Sequence, residues 1–82
     1  MKNKLKQSTI KKYNVKQICK HLNQFQLSHD INLYRFDFAY NAIYKFNKGF
    51  LGESYTYETS INEINRDVII YILNDVYKNL NK

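Results

Sequence analysis

The chain has 82 residues, with 13 Lys and Arg against 7 Asp and Glu, and a net charge of +6. A single domain follows from that length, with a narrow stability margin, because so short a chain buries only about 60% of the surface it exposes when unfolded. Proline is absent and glycine occurs only as Gly49 and Gly52. That argues against a linker, a low-complexity segment or a many-turned barrel. The 8 Tyr and 5 Phe supply large buried area per residue and also suit binding surfaces. Abundant Asn, Lys, Ile and Tyr point to an AT-rich coding genome.

Cys19 is the lone cysteine, so no disulfide can form within the chain. The lysines at the start are not followed by an apolar stretch, so they do not read as a signal peptide. The longest apolar run, Val68 to Leu73, is far short of the ~20 residues a membrane helix needs. A soluble, cytoplasmic, reducing setting without membrane attachment is the expectation.

Charge is unevenly placed. From Met1 to Lys20 there are seven lysines (Lys2, Lys4, Lys6, Lys11, Lys12, Lys16, Lys20) and no acid. From Glu53 onward five acids stand against Arg66, Lys78 and Lys82. Such asymmetry points to nucleic acid or an acidic protein surface as partner. Residues 1–7 read as a basic flexible arm.

Asn14 and Gln17 have capping-box spacing, and Val15, Ile18, Cys19, Leu22 and Phe25 follow at helical period. A helix from Val15 to Gln24 is predicted, with Lys16, Lys20 and Asn23 outward. Val15 to Tyr34 can also be laid on a helix-turn-helix. Cys19 would be its small residue, Asn23 its turn residue, and Ser28, His29, Asn32 and Arg35 would face bases. Gln24 and Phe25 fit that pattern poorly, so two ordinary packed helices are the preferred reading.

Phe36 to Lys48 is read as a helix. Phe36, Ala39, Tyr40, Ile43 and Phe46 would share one face, and Gly49 would end it. The competing reading is a strand, with Tyr34, Phe36, Phe38 and Tyr40 alternating. A hairpin through Asn47-Lys48-Gly49 would then lead to Ser54–Tyr57. Local propensity favours the strand and the longer period favours the helix. Glu53 to Thr59 reads as a short edge strand or an extended connector.

Ser60 and Glu63 form a second capping-box pattern, and Ile61, Ile64, Val68, Ile72 and Val76 recur at helical period with Ile69, Tyr71 and Leu80. A broad-faced helix from Ser60 to Leu80 is predicted, packed from more than one direction. Ile70, Leu73 and Tyr77 flank its main stripe. An uncovered part of that arc would serve a homodimer or a partner protein, with a fully covered central helix as the preferred reading.

The expected architecture is therefore mainly α: a small three-helix domain spanning residues 1–82, with a short β-hairpin or edge strand, and α+β as the alternative. The expected function is non-enzymatic binding by a small basic helical protein of the phage, plasmid or bacterial-regulator type. Nucleic acid would be held by Lys4, Lys6, Lys11, Lys12, Lys16, Lys20 and Arg35, because ammonium groups neutralise phosphates and release counterions without fixed geometry. The alternative is a protein–protein inhibitor, such as a phage-encoded antagonist of a host defence or nucleic-acid enzyme. Tyr55, Tyr57, Ile70, Leu73 and Tyr77 would form its interface. The interleaved segments Tyr34-Arg35-Phe36 and Tyr44-Lys45-Phe46 resemble single-strand stacking surfaces, but their rings are read as core. Cys19, His21 and His29 lack a fourth metal ligand at paired spacing, so no metal site is assigned. No catalytic residues, cofactor or small-molecule substrate are expected.

Overall fold

The computed structural model describes residues 3–81. Met1 and Lys2 of the expected arm, and Lys82, lie outside the described residues. Among the described residues three helices and three strands follow one another as α1 (Gln7–Lys12), α2 (Val15–Ser28), β1 (Tyr34–Asp37), β2 (Ala42–Gly49), β3 (Gly52–Ser60) and α3 (Arg66–Lys78). A 3₁₀ turn at Asn79–Asn81 follows α3. The strands form one antiparallel sheet in the order β1-β2-β3. The class is thus α+β, and the mainly α expectation is corrected.

The correction turns on residues 36–48. Instead of one helix, the chain forms β1, a turn and most of β2. Phe, Tyr and β-branched side chains favour the strand, and the turn is set by two residues that a 3.6-residue period overlooks. The Asp37 carboxylate accepts hydrogen bonds from the Ala39 and Tyr40 amides at 3.1 and 3.2 Å. Asn41 takes a left-handed conformation, φ 52°. Asp and Asn suit these two roles because their short polar side chains bond to nearby backbone. Gly49 does not end a helix. It pairs with Gly52 across a two-residue loop, Phe50-Leu51.

The α2 capping box is formed as expected: Asn14 Oδ1 accepts from the Gln17 amide at 2.8 Å, and Gln17 Oε1 from the Asn14 amide at 2.9 Å. The helix runs on to Ser28, past the predicted Gln24. It ends with Asp30 in the left-handed region at φ 53° and the Ile31 amide bonded to the Gln26 carbonyl. This is a Schellman closure made without glycine. The chain then enters β1, so no second helix exists to complete a helix-turn-helix.

Helix α3 starts later than predicted. Ser60 closes β3, and its carbonyl accepts from Glu63 and Ile64 in a separate turn. The cap is Asn65, which accepts from the Val68 amide at 2.9 Å. The stripe is also rotated. Ile69, Ile72, Leu73, Val76 and Tyr77 are buried, whereas Val68 and Tyr71 are exposed. An arc this uniformly apolar does not reveal its own centre.

The core lies between one face of the sheet and the helices. Ile18, Cys19, Leu22 and Phe25 of α2 join Phe36 and Ile43 of the sheet and the buried stripe of α3. Arg66, at the start of α3, donates to the carbonyls of Ile10 and Tyr13 and so ties α3 to the end of α1.

Candidate nucleic-acid interface

Local chemistry accounts for some of the lysine positions and not for others. Lys11 and Lys12 occupy the last turn of α1, beside the negative end of its dipole. Lys16 is in the first turn of α2, where the dipole is positive and no acid accompanies it. Lys20 lies four residues on, along the same exposed face. The dipole therefore explains Lys11 and Lys12 but works against Lys16. Lys4, Lys6, Lys11, Lys12, Lys16 and Lys20 are all exposed, and the first carboxylate in the chain is Asp30. These lysines are carried by α1, α2 and the segment before α1. Arg35 does not join them, because its β1 position faces away from the helices.

The segment before α1 is docked by one residue. The Leu5 amide donates to Tyr77 Oη at 2.8 Å, and the same oxygen lies 2.8 Å from His21 Nε2. Lys4 Nζ stands 5.4 Å from the centre of the Tyr77 ring. Burial pushes the Tyr77 phenol above its ordinary pKa, and the Leu5 amide partly opposes that. Tyr77 and Leu73, expected on a partner surface, are therefore interior, and Ile70 is half-buried. Leu73 belongs to the packed core, and the Tyr77 hydroxyl is engaged by the Leu5 amide and by His21 Nε2.

The sheet has two unlike faces. Tyr34 opposite Lys45, and Phe36 opposite Ile43, lie on the side covered by the helices. The register places Arg35 opposite Tyr44, and Tyr44 opposite Tyr57, on the other side. Phe46 and Tyr55 form the next row of that outer face. Thus Tyr34 and Phe36 are core as expected, whereas Tyr44 and Phe46 are half-buried on a face without a helix over it. Tyr55 and Tyr57 are 41% and 57% exposed. Beyond Lys45 the β2–β3 hairpin projects from the body, with Phe50 and Leu51 fully exposed at its tip. The alternation of Tyr44 and Phe46 against Tyr55 and Tyr57 was the sequence signal for this outer face, once residues 42–57 are read as a hairpin.

Cys19 is fully buried, and burial pushes its thiol up to about 12, far from a reactive thiolate. Among the described residues no three His, Cys, Asp or Glu side chains gather as metal ligands. A groove of about 530 Å³ is lined by Lys4, Tyr71, Asn74, Asp75, Tyr77 and Lys78. No helix among the described residues is long and apolar enough to cross a membrane. No family model, curated protein or solved structure matches the chain.

Proposed function

We propose that this protein binds nucleic acid without chemically altering it, through the lysines of α1, α2 and the segment before them. The carrying observation is six exposed ammonium groups, from Lys4 to Lys20, on a stretch that has no carboxylate before Asp30. Each ammonium placed against a phosphate releases counterions, and that entropy drives binding without base-specific geometry. A reducing cytosol fits this reading, since the lone Cys19 has no partner cysteine in the chain.

The test is fluorescence anisotropy on labelled duplex and single strand across a salt series. The variant Lys11→Ala/Lys12→Ala/Lys16→Ala/Lys20→Ala binds more weakly, and its log–log salt slope on duplex is flatter by about 0.9 for each phosphate that is no longer neutralised. Failure to bind any duplex or single strand at low salt ends the proposal.

A second reading, a protein antagonist, draws on the exposed Tyr55 and Tyr57 and the bare Phe50-Leu51 tip. Tyrosines held on a rigid strand make good anchors because little side-chain entropy remains to lose. A nuclease-treated pull-down that enriches one stoichiometric protein supports this reading. Its loss on replacing Tyr55 and Tyr57 by Ala assigns the surface.

A further inference from the structure

We propose that the outer face of the sheet is a stacking platform for single-stranded nucleic acid, formed by Tyr44, Phe46, Tyr55 and Tyr57 with Arg35 beside them. This extends the nucleic-acid reading and rests on it only for the class of ligand, because the surface is separate from the lysine-bearing helices.

The rings are arranged as two supported pairs. Tyr44 and Tyr57 meet edge-to-face with centroids 5.9 Å apart, and Phe46 and Tyr55 do so at 5.4 Å. In each pair a half-buried ring of the central strand braces an exposed ring of the edge strand. Two residues along a strand separate the pairs by roughly 7 Å, so the platform offers consecutive faces rather than one isolated ring.

The Tyr55 ring is held before any ligand arrives. The Tyr55 hydroxyl donates to Asn32 Oδ1 at 2.8 Å, and the Arg35 guanidinium lies 6.0 Å from the Tyr55 ring centre. A ring already fixed loses little entropy when a base stacks on it.

Charge selects the occupant. Lys48 stands opposite Glu53 in the β2–β3 register, so those two offset each other. Hydrogen bonds from the Ala39 and Tyr40 amides hold the Asp37 carboxylate at the turn, at the end of β1 away from the Phe46–Tyr55 row. Arg35 is then the cation beside the rings, on a molecule of net charge +6. An aromatic face with an adjacent guanidinium suits bases with their π-faces open and a phosphate alongside. Bases stacked inside a duplex cannot present those faces, so the ligand is a single strand.

The experiment compares a labelled oligothymidylate with a duplex of equal length, by anisotropy at fixed salt and across a salt series. Tyr57→Ala is expected to weaken single-strand binding about tenfold, with the salt slope and duplex affinity unchanged. Tyr57→Phe is expected to bind like the parent, because the stacking surface remains. Circular dichroism melts check that both variants fold, and Arg35→Ala supplies an independent probe if Tyr57→Ala does not. Unchanged single-strand affinity in both Tyr57→Ala and Arg35→Ala overturns the proposal. So does equal weakening on duplex and single strand, or a face found to be occupied by a second copy or another protein. Weakening in the lysine variant with no effect at Tyr57 and Arg35 removes this platform while leaving the helical surface standing. The reverse pattern removes the helical surface alone.

Discussion

The side-chain amide of Gln26 grips the backbone of Tyr34 from both ends. Nε2 donates to the Tyr34 carbonyl at 2.9 Å, and Oε1 accepts from the Tyr34 amide at 3.0 Å. Oε1 also accepts from the Leu33 amide at 3.1 Å, and Nε2 reaches the Leu22 carbonyl at 3.4 Å. The whole hydrogen-bonding capacity of one buried amide is therefore used. It acts as a substitute neighbour for the edge strand β1 and welds the sheet to α2.

Replacing Gln26 by Leu leaves the Tyr34 amide and carbonyl buried without that partner. A loss of about 2–4 kcal/mol is expected. Gln26→Glu keeps the acceptor for the two amides. Protonated, it also keeps a donor for the Tyr34 carbonyl and costs an intermediate amount. Ionised, it sets a buried charge against the Tyr34 and Leu22 carbonyls and costs at least as much as Gln26→Leu. Urea denaturation of the three proteins gives the ranking. A neutral Gln26→Leu would show that the amide is not what joins β1 to α2.

Arg66 plays a comparable part for α1. Its guanidinium meets the Ile10 and Tyr13 carbonyls at the end of a helix of 6 residues, too short to persist alone. Arg66→Lys offers a single point donor in place of a fork. Stability should fall by about 1–2 kcal/mol, and amide exchange should rise first at residues 7–13. Uniform acceleration across the chain would contradict a local clasp.

The two glycines of the hairpin should respond differently. Gly52 has φ +123°, yet a Cβ built there meets nothing within 4 Å. Gly52→Ala is expected to cost about 1–2 kcal/mol through backbone strain alone. Gly49→Ala, whose Cβ would sit at an ordinary 3.8 Å from the Gly52 carbonyl oxygen, should stay within about 0.5 kcal/mol of the parent. Thermal melts of both variants separate conformational strain from steric conflict.

Stability should fall at alkaline pH. Burial raises the Cys19 thiol from 9.0 to about 12. Burial, with the Asp75 carboxylate that accepts the Tyr34 hydroxyl, raises Tyr34 from 10.0 to about 12. The folded state therefore holds protons that the unfolded chain releases. Their contribution is complete below about pH 9 for Cys19 and pH 10 for Tyr34, and it vanishes as pH rises through about 12. Urea midpoints measured from pH 8 to 11 should decline, and Cys19→Ala should delay the onset by about one pH unit. A flat profile would mean that these groups ionise alike in both states.

Helix α2 was legible because its signals are local. A capping box spans four residues, and the apolar period of Ile18, Cys19, Leu22 and Phe25 matches the buried face. The existence of α3 was legible for the same reason, but its start was not. Ser60 and Glu63 carry the right spacing, yet Ser60 is claimed by the sheet, where it pairs with Ala42. Pairing partners far along the chain outrank a local cap.

The lysine distribution and the intrachain thiol arithmetic followed from composition and order, since neither depends on what packs against what. Tertiary structure decided the rest. It made residues 34–60 a sheet because Asp37, Asn41 and Gly52 turn the chain where cross-strand partners can meet. It also sorted rings of identical chemistry. Tyr34 went inside and Tyr44 outside because strand register alternates faces and helices cover one of them.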